Sequence, residues 1–123
     1  MNDRLVVERR RYQRYRMPEK AYVAFGNGAA KLGQIKDVSE GGLAFLYIDI
    51  GGRPKRSFSL DIRIEDNAFQ LEALPFKTIW DSEIPDELRS TKMRNCGGRF
   101  GKLTPYQESR LLYLIRNHSV SEF

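Results

Sequence analysis

Arg10 and Arg14 are the only two arginines in this chain four positions apart. Arginine carries a permanent planar fork of donors that matches phosphate oxygens or the O6 and N7 edge of guanine, and the same plane stacks on a base. On a helix the pair would share one face a turn apart; on an extended or looped arm, the fold itself has to bring the two together. Farther along, Asp37-Val38-Ser39-Glu40-Gly41-Gly42 reads D-x-S-x-x-G, a match that also occurs once. An ionised aspartate accepts hydrogen bonds and can take them from the N1–H and exocyclic amine of guanine, the edge opposite the one arginine reads. Ser39 can donate to a phosphate or a base, and Gly42 can let the backbone turn while a flat ligand approaches.

Charge supports an anionic partner. The chain has 21 Lys and Arg against 16 Asp and Glu, a formal charge of +5, which favours nucleic acid, nucleotides or phosphorylated lipids without choosing among them. Arg9, Arg10, Arg11, Arg14 and Arg16 crowd one stretch, so the positive potential is focused near the N-terminus.

Other chemistries find little to work with. Cys96 is the only cysteine and His118 the only histidine, so neither an internal disulfide nor a clustered zinc site is expected. No nucleophile with a base and no pair of acids assembles at motif spacing, and an enzyme is not expected. Asp81, Glu83, Asp86 and Glu87 fall in a predicted polar loop, where a wet acidic face is the expected meaning. No apolar run approaches the ~18–20 residues that cross a bilayer, and residues 1–11 do not resemble a signal peptide, so the expectation is a cytoplasmic protein without membrane insertion.

The elements that must position these residues are mostly strands. The length of 123 residues suits one domain, read here as a basic arm over residues 1–16 and a barrel with its helix over 17–123. Residues 21–25 predict a strand, and Gly26-Asn27-Gly28 a tight turn into a second strand over 30–38. Ser39 to Gly42 interrupts before a third strand over 43–48. Residues 49–57 read as an exposed loop. Phe58, Leu60, Ile62 and Ile64 alternate with polar residues, the period of two expected when one face is buried. Further strands are expected over 68–74, over 75–80 beginning at Pro75, and over 93–100, with 81–90 a loop between them. Gly97-Gly98 suggests a bulge or a close backbone approach. Thr104-Pro105-Tyr106-Gln107 is a capping box with proline at the first helical position, opening a helix from 105 to about 117. Leu111, Leu112 and Ile115, with Leu114 beside them, would lay one face of it on the sheet. Six or seven short antiparallel strands followed by one helix predict a mainly β protein, a small barrel whose closure removes exposed edges.

Taken in order, the arginine pair, a hairpin and D-x-S-x-x-G resemble the signature of the PilZ family. The likeness covers most of the chain: Glu8 to Tyr12 and Asp37 to Leu43 look like its two motifs, and Gly98-Arg99-Phe100 before the capped helix looks like its usual ending. This resemblance implies a six-stranded split barrel with a C-terminal helix. It implies as ligand cyclic di-GMP, two guanosine monophosphates closed into a ring, bound as one molecule or as an intercalated pair. It also implies Arg10 and Arg14 as guanine and phosphate ligands, Asp37 and Ser39 as guanine-edge and phosphate partners, Gly42 as the turn residue, and Arg9 and Gly41 as further contacts beside the motifs. The expected role is that of a ligand-responsive adaptor acting on a downstream protein. Because the motifs flank a hairpin, only an arm that folds back lets both touch one ligand, and ordering such an arm is a recognised switch.

Two other functions fit the same composition. A small basic barrel could bind single-stranded nucleic acid through arginines and exposed aromatics, or the domain could be a protein-interaction module that ignores ligand. The second motif favours the cyclic dinucleotide over either, and nucleic acid is not the expected partner. Phe45, Phe58, Phe69, Phe76 and Trp80 are expected in the core, with Trp80 left outside the site. Cys96 reads as a small buried hydrophobe, and His118 as a helix C-terminal residue that complements the dipole when protonated.

Overall fold

The structure is a computed structural model and describes residues 12–29, 31–50, 53–85, 88 and 91–122. Six antiparallel strands close on themselves: β2 (Ala21–Phe25), β5 (Ser57–Ile64), β6 (Phe69–Ile84), β7 (Met93–Phe100), β4 (Gly42–Ile48) and β3 (Lys31–Val38), with β3 pairing back onto β2. Two two-residue strands extend the sheet beyond β3: β1 (Tyr15–Arg16), and β8 (Ser121–Glu122) beyond it. One helix, α1 (Pro105–His118), follows the barrel. The expected mainly β barrel with a C-terminal helix is therefore what the chain forms.

Alternation drives most of the strands. In β5, Leu60, Ile62 and Ile64 are buried while their neighbours face outward, and β3 buries Ile35 and Val38. A ring of aromatics fills the interior: Phe25 lies 5.3 Å from Phe45 and 5.7 Å from Phe58, and Phe58 lies 5.4 Å from Phe76, all tilted or edge-on, the arrangements that ring quadrupoles favour.

Two expected boundaries were wrong. Residues 68–74 and 75–80 are one strand, β6, and its pairing continues to Ile84 through the segment read as a loop. The ladder is interrupted at Ala73, and no new strand begins at Pro75. Ala73 takes a φ of 58° in a bulge where Glu72 and Ala73 face the single Asp61, whose carboxylate accepts from the Ala73 amide at 2.9 Å. Pro75 sits beyond that bulge in the paired strand, opposite Ser59. Asp81 to Ile84 carries no apolar alternation; it is held by β7, where the buried Arg94 donates to the Asp81 carboxylate at 2.8 Å and to its carbonyl at 2.9 Å.

The helix has the predicted capping box: the Gln107 amide donates to Thr104 Oγ1 at 3.1 Å, and the Thr104 amide to Gln107 Oε1 at 3.0 Å. Gln107 also donates to the carbonyls of Glu72 and Ala73, which ties the start of α1 to the β6 bulge. Leu111, Leu114 and Ile115 enter the core. Leu112 is only half-buried, because positions i, i+3 and i+4 share a helix face and Leu112 is turned about 100° from Leu111.

Candidate ligand-binding site

A cleft of about 970 Å³ lies between the β3–β4 turn, the end of β7, the middle of β6 and α1. This is near the top of the range of small-molecule sites, roughly 300–1,000 Å³.

The strand order explains what meets there. β6, β7, β4, β3 and β1 are consecutive neighbours, and the register sets Arg16 opposite Asp37, Asp37 opposite Ala44, and Gly42 opposite Arg99. Asp37 follows a bulge, since Ile35 faces Phe45 while Asp37 faces Ala44, leaving Lys36 as the extra residue. Arg14 immediately precedes β1, whose Tyr15 and Arg16 pair with Val38 and Asp37. Arg14, Asp37, Ser39, Gly41 and Gly42 all line the cleft. Arg9 and Arg10 lie outside the described residues.

Ser39 organises its loop. Its Oγ accepts from the amides of Gly41 at 3.1 Å and Gly42 at 3.2 Å, and its own amide donates to the Gly42 carbonyl at 2.8 Å. The hydroxyl hydrogen has only a long contact, 3.4 Å to that same carbonyl, so a phosphate oxygen in the cleft would be a better acceptor.

Gly42 is needed for a different reason from the one expected. Its φ is not among the positive glycine values, and it is the first residue of β4. A Cβ there would collide with the carbonyl of Gly98 on β7, so close strand approach, and not a turn, demands glycine.

Trp80 is misplaced by sequence reasoning. The strand skips a register at Ile79, with Thr78 opposite Gly98 and Trp80 opposite Gly97, and the bulge leaves Ile79 and Trp80 both outside the core, Trp80 40% exposed. The indole lies against Gly97, filling the space a Cβ would take, and forms one wall of the cleft. Phe45, Phe69 and Phe76 are buried and Phe58 partly so, as expected. Tyr12, Arg99 and Lys102 also line the cleft and were not singled out as site residues. The signals for them were slight: Tyr12 stands inside the arginine motif, and Arg99 follows the paired glycines.

Behind Trp80, Asp81 accepts from the Tyr47 hydroxyl at 2.8 Å as well as from Arg94. Burial, reinforced by that hydrogen bond, holds the Tyr47 phenol protonated far above its ordinary range. Burial likewise pushes the Cys96 thiol up to about 11, so this lone cysteine is an inert core residue. Among the described residues no group of three or more His, Cys, Asp or Glu could hold a metal ion, and no helix is long and apolar enough to cross a membrane.

Known proteins share this architecture. The fold is similar to the PilZ domain with c-di-GMP of YcgR from Escherichia coli, with a TM-score of 0.66 and 21% identity, covering 89% of this chain and 91% of that one. A search of curated proteins finds no match. The PilZ domain pattern matches residues 8–117, nearly the whole length. With that match, and with the motif residues gathered in one cleft of the barrel, the chain belongs to the PilZ domain family.

Proposed function

We propose that the cleft binds cyclic di-GMP and that the domain works as a ligand-responsive adaptor, not an enzyme. The observation that carries this reading is the convergence of Arg14 with Asp37 and Ser39, which belong to a motif far from it in sequence, on one cleft of suitable size. Arg14 supplies a fork for a guanine edge or a phosphate, Asp37 an acceptor for the opposite guanine edge, and Ser39 a hydroxyl donor. Trp80 offers a face on which a base can stack.

Arg14, Arg99 and Lys102 among the lining residues are matched by Asp37, Glu40 and Glu108, so the positive excess that a doubly charged ligand needs is assigned to Arg9 and Arg10. Ligand binding then orders the arginine-rich arm and makes a new surface for a downstream protein. Tyr15 and Arg16 are already paired with β3, so added hydrogen-exchange protection is expected upstream of Tyr12; equal protection with and without saturating ligand would remove the switch. The cytoplasm is the proposed location.

Calorimetric titration with cyclic di-GMP, GMP and cyclic di-AMP tests the assignment. Selective binding of cyclic di-GMP is expected, near two per chain for an intercalated pair or near one for a single molecule. Binding to an oligonucleotide that grows with strand length, with no preference for the cyclic dinucleotide, would overturn it.

A further inference from the structure

Gly41 lies under the ring of Tyr12. A Cβ built on Gly41 would come within 2.6 Å of two Tyr12 ring carbons, closer than real Cβ contacts, so the ring occupies the place where any other residue would carry its side chain. The backbone beneath it is fixed from both sides: the Gly41 amide donates to Ser39 Oγ at 3.1 Å, and the Gly41 carbonyl accepts from the Phe100 amide at 2.9 Å. The ring therefore rests on a part of the β3–β4 loop that cannot easily withdraw.

The consequence falls on Arg14. Two residues after it, Arg16 pairs with Asp37 and its carbonyl accepts from the Val120 amide at 2.9 Å. Two residues before it, Tyr12 rests on Gly41. Arg14 thus stands between Tyr12 and β1, whose Tyr15 already pairs with Val38 and Glu122, in a segment held on both sides, and both Tyr12 and Arg14 line the cleft. Pinning both ends restricts the directions the guanidinium can take, which lowers the ordering cost of ligand binding.

We propose that Tyr12 and Gly41 form a seat that positions Arg14, and that Gly41 serves the site by accommodating the Tyr12 ring instead of by touching ligand. The inference rests on the reading of the cleft as a cyclic di-GMP site. It makes Tyr12 a positioning residue that acts through its ring and not through its hydroxyl.

A double-mutant cycle on the full chain tests it, with cyclic di-GMP affinity measured by calorimetry at one salt concentration. Tyr12→Ala and Gly41→Ala should each weaken binding roughly tenfold, the upper end expected for one lost aromatic packing contact. The double variant should be no weaker than either single, because both changes empty the same seat. Tyr12→Phe keeps the ring and should bind as the parent does. Multiplied losses in the double variant, parental affinity in Gly41→Ala, or Tyr12→Phe as weak as Tyr12→Ala would each overturn the proposal.

A ligand-free measurement separates this seat from the functional reading. The Gly41 Hα resonances should be shifted by the ring current of Tyr12 and should return to ordinary values in Tyr12→Ala. If the parent failed to bind cyclic di-GMP, the reading of the cleft would fall while this shift still showed the seat. Hα resonances unchanged by Tyr12→Ala would refute the seat whatever the ligand does.

Discussion

Arg94 donates through Nε to the carboxylate of Asp81 at 2.8 Å, from a side chain only 6% exposed. Asp81 is the residue after Trp80 and also accepts from the Tyr47 hydroxyl, so one carboxylate joins β4, β6 and β7 just behind the cleft wall. Its removal leaves a buried guanidinium and a buried phenol without their partner. Asp81→Ala is expected to cost about 3–5 kcal/mol of stability, the range for breaking a buried ion pair from one side. Urea denaturation at pH 7 measures it, and a loss under 1 kcal/mol would mean that water replaces the carboxylate.

Trp80 and Gly97 form a second contact of a ring on a glycine. A Cβ at Gly97 would enter the indole, so Gly97→Ala should displace the ring from the wall. Trp80 is the only tryptophan, and its fluorescence reports the change without a label. A shifted emission maximum and weaker cyclic di-GMP binding are expected together; unchanged emission would show that the strands absorb the added methyl group.

Arg14→Ala should weaken cyclic di-GMP binding by about 1–3 kcal/mol, the value of a bidentate contact to a guanine edge. Arg11→Ala removes the same charge from the same arm and should cost much less, because a diffuse charge is screened by salt. Asp37→Ala should also weaken binding although it makes the protein more positive. Calorimetry at one salt concentration compares the three after circular dichroism has shown that each folds. Equal losses at Arg11 and Arg14, with tighter binding by the Asp37 variant, would reduce the arm to an electrostatic tether.

Cys96 makes stability depend on alkaline pH. Its thiol is pushed up to about 11 by burial, whereas an unfolded chain has the ordinary value near 8.5. A group whose folded pKa is raised stabilises fully below its unfolded pKa and loses that contribution as pH rises towards the folded one. Between pH 8 and pH 10 the unfolded state ionises and the folded state does not, so stability should fall by about 1–2 kcal/mol. Cys96→Ala should flatten the urea midpoint over this interval; the same slope in parent and variant would assign it to another group.

The alternating strands, the helix and the two motifs are legible along the chain. Phe58 to Ile64 alternate because one face of β5 must be buried, and Thr104 to Gln107 stop and start the chain through bonds between near neighbours. The D-x-S-x-x-G loop is legible for the same reason, since Ser39 bonds Gly41 and Gly42 within a few residues. The remaining features depend on partners distant in sequence. Asp81 to Ile84 are a strand because β7 and Arg94 pair with them, and Trp80 leaves the core because the register slips by one at Ile79. Gly42, Gly41 and Gly97 are read locally as turn or bulge residues. In the fold, the first is required by the backbone of β7 and the other two lie under the rings of Tyr12 and Trp80. Local propensity sees only neighbours along the chain, whereas a bulge, a buried ion pair and a ring resting on a glycine are settled between strands when the barrel closes.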